Sequence, residues 1–427
     1  MEIYSPYRIC PLGAHIDHQL GIVIGTTINR GIRFIFEPNS AGLVRLHSLD
    51  YDESIEFSFA DTSRKAGHWS DYARGAACVL QLKEKLKYGI DAEIQADFPG
   101  GGLSSSAAIA VAYLLALEKV NNLHIPAGEN IKLVQKLENE YIGLKNGILD
   151  QSIILLTKSM PNSMVYLDCK TLKHKIIAPG KSANSPRPLR ERGADAMSKE
   201  HRLARPPSGE AGDRSPSGQD RLRGNEAKFE VAVVYSGIEQ ALSNTGYNRR
   251  VTECEEAASL LMEMADQRLP HRRTARNNKM IRLRDVPEEV FQKYKDKLPA
   301  NLRKRATHFF TEMDRVRKGV LFWKSGDLKG FGKLMTDSGK SSIENYECGT
   351  PALIRIYELL NSVDGIYGAR FSGAGFRGSC IGLIKPSEKV RDTVREKIAK
   401  HYKVEFPQYA DKCRIVFCKT NIQVSSS

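Results

Sequence analysis

No CxxC pair occurs in this 427-residue chain, although eight cysteines are scattered from Cys10 to Cys418. That spacing gives no structural zinc set and no disulfide framework, so reduced thiols in a cytosolic protein are the simple expectation. No apolar run approaches the roughly 20 residues that cross a bilayer. The opening stretch, Met1-Glu2-Ile3-Tyr4-Ser5-Pro6, lacks a charged segment followed by an apolar one. No signal peptide is therefore expected, and the expected location is cytoplasmic. Acidic residues are also in short supply: 64 basic side chains face 50 acidic ones, for a net charge of +14. Such an excess can signal a nucleic-acid or membrane partner. Here it is local. Residues 267–284 carry seven basic side chains and no acid, and residues 186–223 carry nine basic against six acidic. Neither stretch holds a Phe, Tyr or Trp, so neither offers a stacking platform for single strands. Both read as solvated basic loops, and neither a nucleic-acid nor a membrane partner is expected.

What is present fits a soluble globular protein: 41% apolar and 27% charged residues, with length enough for two or three domains. Runs rich in β-branched and aromatic residues, or alternating with period two, predict strands at 21–28, 32–36, 44–48, 54–59 and 92–98. Helical spacing predicts helices over 69–86, 107–117 and 131–142, the second apolar all round and therefore buried. A second half repeats the mixture. It has a strand at 229–235, helices at 253–265, 303–319, 328–334 and 351–360, and a strand, glycine turn and strand across 369–384. The prediction is an α/β protein in two units, residues 1–160 and 161–427. Residues 182–227 are rich in Pro, Gly, Ser and Arg and cannot bury enough apolar surface to offset chain entropy. They predict a disordered insertion, and residues 267–284 a second one.

Four segments carry chemistry. Gly100-Gly101-Gly102-Leu103-Ser104-Ser105-Ser106 runs into the buried helix. Glycines let a ligand approach the backbone, and a helix N-terminus offers free N–H groups and a positive dipole end. That is an anion site, best suited to phosphate. It is neither a Walker A loop nor a dinucleotide fingerprint, and taken alone it reads equally as a flexible loop before a serine-capped helix. Arg8, His15, Asp17 and His18 form a polar cluster among apolar and turn residues near the start. Asp17 and the histidines could bind sugar hydroxyls, or the HxxH pair a metal. Glu138 and Asp150 are two acids, one able to hold a hard cation and the other to accept a proton from an attacking hydroxyl, although Glu138 taken alone on its helix reads as a surface acid. Ser372-Gly373-Ala374-Gly375-Phe376-Arg377-Gly378 alone reads as a hairpin turn.

In this order the four segments resemble one family. Residues 8–18 resemble the galactokinase signature, 99–108 the phosphate-binding motif of the GHMP kinases, 147–151 their catalytic-aspartate motif and 371–378 their third, glycine-rich motif. Residues 13–19, 339–348 and 368–378 are similar to the plant galacturonokinase branch of that family. The resemblance implies a ribosomal-protein-S5-domain-2-like N-terminal domain and a ferredoxin-like C-terminal domain, with the active site between them. It implies ATP and Mg²⁺ as cofactors, a sugar or uronic acid as the other small-molecule partner, and a monomer. Asp150 would be the base or orienting carboxylate, and Arg8 would stabilise the transferring phosphoryl. Gly100, Gly101, Gly102, Leu103, Ser104 and Ser105 would wrap the nucleotide phosphates. Ser106 would join that loop and, with Glu138, hold Mg²⁺. His15, Asp17, Gly147 and Tyr247 would line the sugar. Galactokinases carry a glutamate where this chain has Ala14. Its loss would admit the C6 carboxylate of D-galacturonate, which a glutamate would repel, with His15 or His18 as its hydrogen-bond partner. The product would be the 1-phosphate. A galactokinase or arabinokinase, or an inactive sugar and ATP sensor, are the alternatives. The family also has some tens of residues ahead of the first motif, so the early position of Arg8 implies a shortened N-terminus.

Overall fold

The computed structural model describes residues 1–63, 65, 67, 69–98, 101–180, 229–239, 245–265 and 280–427. The strands are β1 (Glu2–Leu12), β2 (Ile22–Asn39), β3 (Leu43–Ser48), β4 (Glu53–Ser58), β5 (Gly89–Ala96), β6 (Met164–Asp168), β7 (His174–Ile177), β8 (Glu230–Tyr235), β9 (Ile366–Phe371), β10 (Ser379–Ile384), β11 (Arg414–Cys418) and β12 (Ser425–Ser426). The principal helices are α1 (Asp71–Gln81), α2 (Ser105–Val120), α3 (Ala127–Lys136), α4 (Leu149–Leu156), α5 (Tyr247–Ala265), α6 (Glu288–Tyr294), α7 (Ala300–Ser325), α8 (Leu328–Glu344), α9 (Pro351–Asn361) and α10 (Glu388–Lys397).

The first sheet is organised by β2. The two strands expected at 21–28 and 32–36 are one continuous strand of 18 residues. Its second half alternates: Ile32, Phe34 and Phe36 are buried, while Arg33, Ile35 and Glu37 are exposed. That is the period-two signature of a sheet with one wet face. Its first half is buried on both faces, as helices pack on it. β1 runs antiparallel along most of β2, with register breaks between Pro6 and Arg8 and between Ile9 and Leu12. Those irregularities re-aim side chains next to the motif that begins at Arg8. β5 pairs with the second half of β2, and β3 lies parallel to β5. β6 pairs with the first half, Ile22 opposite Asp168 through Gly25 opposite Val165.

The first sheet continues past residue 160, where the sequence placed the boundary between the two units. β6 and β7 lie beyond it yet extend the first sheet, and β12 returns from the chain's end to pair with β1. The reason is backbone satisfaction: the buried peptide groups of Ile22–Gly25 need a partner strand. The second sheet has the order β11-β8-β10-β9, all antiparallel. Helices α5–α9 lie between β8 and β9, and α10 between β10 and β11, which is the β-α-β-β-α-β ferredoxin-like pattern expected.

Residues 280–284, placed by their basic composition in a disordered insertion, are ordered. Leu283 is fully buried, Arg284 pairs with Asp168 at 3.0 Å, and Arg282 pairs with Glu255. Carboxylates from neighbouring elements compensate the charge that the composition left open. The rest of that call, 267–279, and all of 182–227 lie outside the described residues. Helix α1 ends at Gln81, short of the expected 86, and Leu82 is exposed. All eight cysteines are unpaired, seven of them buried. No helix among the described residues is long and apolar enough to cross a membrane.

Candidate active site

All four motifs meet in one cleft. Asp150 stands in the first turn of α4. Arg8 on β1 donates from Nε to its Oδ1 at 2.7 Å, and Ser104 donates from Oγ to its Oδ2 at 2.6 Å. Arg8 is 3% exposed, and its Nη1 reaches Ser372 Oγ at 3.4 Å, from the turn after β9. Burial opposes the Arg8 charge, but the adjoining Asp150 carboxylate outweighs it and raises the guanidinium pKa. Charge-assisted hydrogen bonds of this kind fix geometry as well as charge. Both Asp150 oxygens are oriented, and part of the carboxylate still faces the cleft.

The phosphate-like cradle forms beside it. Ser104 holds φ +61, the left-handed region, immediately before α2. Its hydroxyl is committed to Asp150 rather than to the helix end, which it does not cap. Among the described residues the first-turn N–H groups of α2 therefore remain free for a ligand. Gly102 has φ +88, and a Cβ there would come within 2.6 Å of Ser379 N and 3.0 Å of Ser372 O. The two glycine segments press backbone to backbone, and Ser379 Oγ donates to Gly101 O at 3.2 Å. The turn that read as a plain hairpin is thus one wall of the cleft. Gly101, Gly102, Ser104, Ser105 and Ser106 line it. Leu103 does not: its side chain is fully buried, and its carbonyl accepts from Arg8 N–H at 3.3 Å. Gly100 lies outside the described residues.

At the other end stand Ala14, His15, Asp17, Gly147 and Tyr247. Leu149 N–H donates to Asp17 Oδ2 at 3.3 Å. A side chain at Gly147 would collide with that carboxylate, which accounts for the glycine. Burial, then the Asp150 charge, pushes the Asp17 carboxyl up to about 6. The His15 ring stacks on Tyr346 with centroids 4.3 Å apart. Burial, then the nearby His308 and Arg370, holds its pKa well below the usual range, so it is neutral. His18 departs from expectation. Its ring nitrogens engage Tyr346 Oη and the Gln19 amide, each at 3.1 Å, and it does not line this cleft.

Glu138 is 1% exposed, rather than the surface acid its helix suggested, and among the described residues neither carboxylate oxygen has a hydrogen-bond partner. Burial, then Asp150, raises its pKa to about 8, with Asn146 opposing the rise. An orphaned buried carboxylate is costly unless a cation meets it. Ser106 and Tyr72 bring hydroxyls close by. Among the described residues no three His, Cys, Asp or Glu side chains cluster as metal ligands, so the HxxH pair finds no third partner. A few hard oxygens fit Mg²⁺, which takes one or two protein ligands and keeps phosphates and waters for the rest.

Two contributors carry no motif. On α7, His308 Nε2 donates to Ala14 O at 3.0 Å, and Glu312 Oε1 accepts from Gly13 N–H at 2.7 Å. Burial would raise the Glu312 carboxyl, but Arg315 and Arg370 hold it down at about 2. The only signal in the sequence is an i, i+4 polar pair on the buried face of a long helix, which looks like any helix.

Residues 71–158 match the family described as GHMP kinases N terminal domain, and residues 319–404 match GHMP kinases C terminal. A galacturonokinase of Arabidopsis thaliana is 39% identical, over 96% of this chain and 88% of its own. A galactokinase of Roseiflexus sp. is 28% identical, over 94% and 87%. Among solved structures, Lactococcus lactis galactokinase complexed with galactose superposes with a TM-score of 0.78 at 24% identity, covering 100% of this chain and 95% of that one. Methanococcus jannaschii mevalonate kinase gives 0.59 at 18%, over 98% of each chain. The chain belongs to the GHMP kinases. It is an ATP-dependent sugar kinase with the family's two-domain fold.

Proposed function

We propose that this kinase transfers the γ-phosphoryl of ATP to the anomeric hydroxyl of D-galacturonate, giving galacturonate 1-phosphate. The observation that carries the substrate is Ala14. It lines the acceptor end of the cleft and offers no charge there. A glutamate in its place, as the galactokinase resemblance implies for galactokinases, would set carboxylate against carboxylate. The 39% identity to a protein named galacturonokinase supports the same reading.

In this reading Asp150 orients the attacking hydroxyl and accepts its proton, held in place by Arg8 and Ser104. Arg8 stabilises charge on the transferring group. The loop from Gly100 to Ser105 cradles the nucleotide phosphates through backbone N–H groups. Ser106 and Glu138 hold Mg²⁺, which when bound supplies positive charge beside the phosphates. Ala14, His15, Asp17, Gly147 and Tyr247 surround the sugar. Phosphoryl transfer needs little more than such positioning and charge stabilisation. The enzyme works as a cytoplasmic monomer, without nucleic acid or membrane.

The test is ATP-dependent phosphorylation of galacturonate, galactose and arabinose side by side, with Asp150→Asn as control. Turnover of galacturonate, lost in the control, is the expected result. Turnover of galactose alone would overturn the substrate. ATP and sugar binding without turnover would overturn the catalytic reading and point to a sensor.

A further inference from the structure

Among the described residues, Arg8 and Arg377 are the two cations that line the cleft. Arg8 is paired with Asp150 at 2.7 Å. Arg377 has no such commitment: among the described residues it makes no ion pair and no hydrogen bond. It is half-buried, in the turn between β9 and β10. That turn is not free to wander, because Gly373 and Gly378 are pressed against the backbone of Gly101 and Gly102. The guanidinium is thereby held over the glycine loop. A Cβ built on Gly101 would lie 3.5 Å from Arg377 Nη1 and 3.6 Å from Cζ. On the other side its charge bears on the Tyr72 hydroxyl, which is bonded to Ser106 at the start of α2. An unpaired guanidinium beside free helix N–H groups matches phosphate oxygens in geometry and charge. The cleft also needs it. Asp17, Glu138 and Asp150 are three acids against the single compensated Arg8, and a triphosphate would add further negative charge.

We propose that Arg377 is a phosphate-binding residue of the nucleotide site, closing the cradle from the C-terminal domain while Gly101, Gly102 and the α2 N-terminus form its floor. The assignment rests on reading the cleft as the nucleotide site. Its contact is with the β- and γ-phosphates, the only groups of the substrates that combine high charge with a place over the glycine loop. It is thus distinct from any partner of the sugar's carboxylate, which the acceptor end would supply.

The experiment compares wild type with Arg377→Ala and Arg377→Lys. Affinity for ATP, ADP and AMP is measured by calorimetry without sugar, and KM for ATP and for galacturonate by steady-state kinetics. Loss of a charge-assisted contact should weaken ATP binding and raise KM for ATP about ten- to hundredfold. Lysine should recover part of the loss, AMP affinity should hardly change, and KM for galacturonate should move less than about threefold. Unchanged ATP affinity in a folded Arg377→Ala would overturn the proposal. So would a loss confined to KM for galacturonate, which would place Arg377 on the acceptor. Where the alanine variant does not fold, ATP affinity of the lysine variant decides: parity with wild type at an equal melting temperature, with AMP affinity also unchanged, counts against a specific guanidinium contact. Wild type that binds no ATP would instead sink the nucleotide reading itself.

Discussion

Replacing Asp17 by asparagine should make the sugar-free protein more stable at neutral pH while disabling it. The Asp17 carboxyl is pushed up to about 6 from 3.8, by burial first and by Asp150 second. A raised carboxyl pKa is a cost of folding at high pH. Below about pH 4 the group is protonated in both folded and unfolded chains and costs nothing. Between about pH 4 and 6 the unfolded chain releases the proton while the folded one keeps it, so the unfolded state binds fewer protons and stability falls as pH rises. Above about pH 6 the cost is complete, at most about 3 kcal/mol for a shift of this size. Asp17 is not wholly closed to the cleft, so water screens part of that figure. Asparagine keeps an acceptor for Leu149 N–H and removes the charge. Denaturant unfolding followed through the Asp17-bearing domain, at pH 4 and at pH 7.5, reads the difference. The variant should match wild type at pH 4 and gain about 1–3 kcal/mol at pH 7.5. Equal stability of the two proteins at both pH values would refute the reasoning. So would a variant less stable at pH 7.5, which would mean that the Asp17 charge is compensated.

Asp150→Asn should reduce turnover by at least about 10²- to 10⁴-fold, the usual share of a proton-accepting group, with a far-ultraviolet spectrum like wild type. A residual rate within tenfold of wild type would remove Asp150 from the chemistry. Ala14→Glu should lower kcat/KM for galacturonate by about tenfold or more, since two charges about 4 Å apart repel by roughly 1 to 4 kcal/mol at the dielectric of a surface cleft. Its kcat/KM for galactose should fall less or rise, and parallel losses on both sugars would indicate a packing defect instead. Gly102→Ala meets both a left-handed backbone at φ +88 and the Ser379 amide at 2.6 Å. Strain of about 1–3 kcal/mol is expected, together with weaker ATP binding, and unimpaired ATP affinity would contradict the interlocked loops.

Much of this site was legible as an order of motifs. Glycines before a buried helix, an acid at the start of a later helix and a polar cluster near Arg8 each name a chemistry through residue type. Their convergence was not legible from any one of them. Arg8 and Asp150 are separated by 142 residues, and Arg8 and Ser372 by 364. Only the family resemblance linked them. Alternation located the half-wet strands, whereas β1, β6, β7 and β11 went unassigned. β1 is buried nearly throughout and carries two prolines and the charged Arg8, so its pattern has no period. The reach of the first sheet beyond residue 160 was hidden for a related reason. Closing the first sheet depends on pairing between β2 and a strand about 140 residues later, which leaves no mark on local composition.

The residues without motifs explain how the cleft holds its shape. Glu312 accepts from the Gly13 N–H, His308 donates a hydrogen bond to the Ala14 carbonyl, and Arg370 reaches Glu312 at 3.5 Å from the strand that leads into Ser372. Helix α7 thus grips both backbone groups of the turn bearing Ala14, and Arg370 ties that grip to the glycine turn. Glu312 can remain charged at the core because two arginines and a hydroxyl share its charge. Such a pair is costly to break and gains little net stability over an apolar core. Its value here is geometric: the turn bearing Ala14 and the strand that leads into Ser372 are fixed to the same buried charge pair. A shift in one is then felt by the other, which ties the turn bearing Ala14 to the strand that leads into the glycine turn beside Arg8 and Asp150.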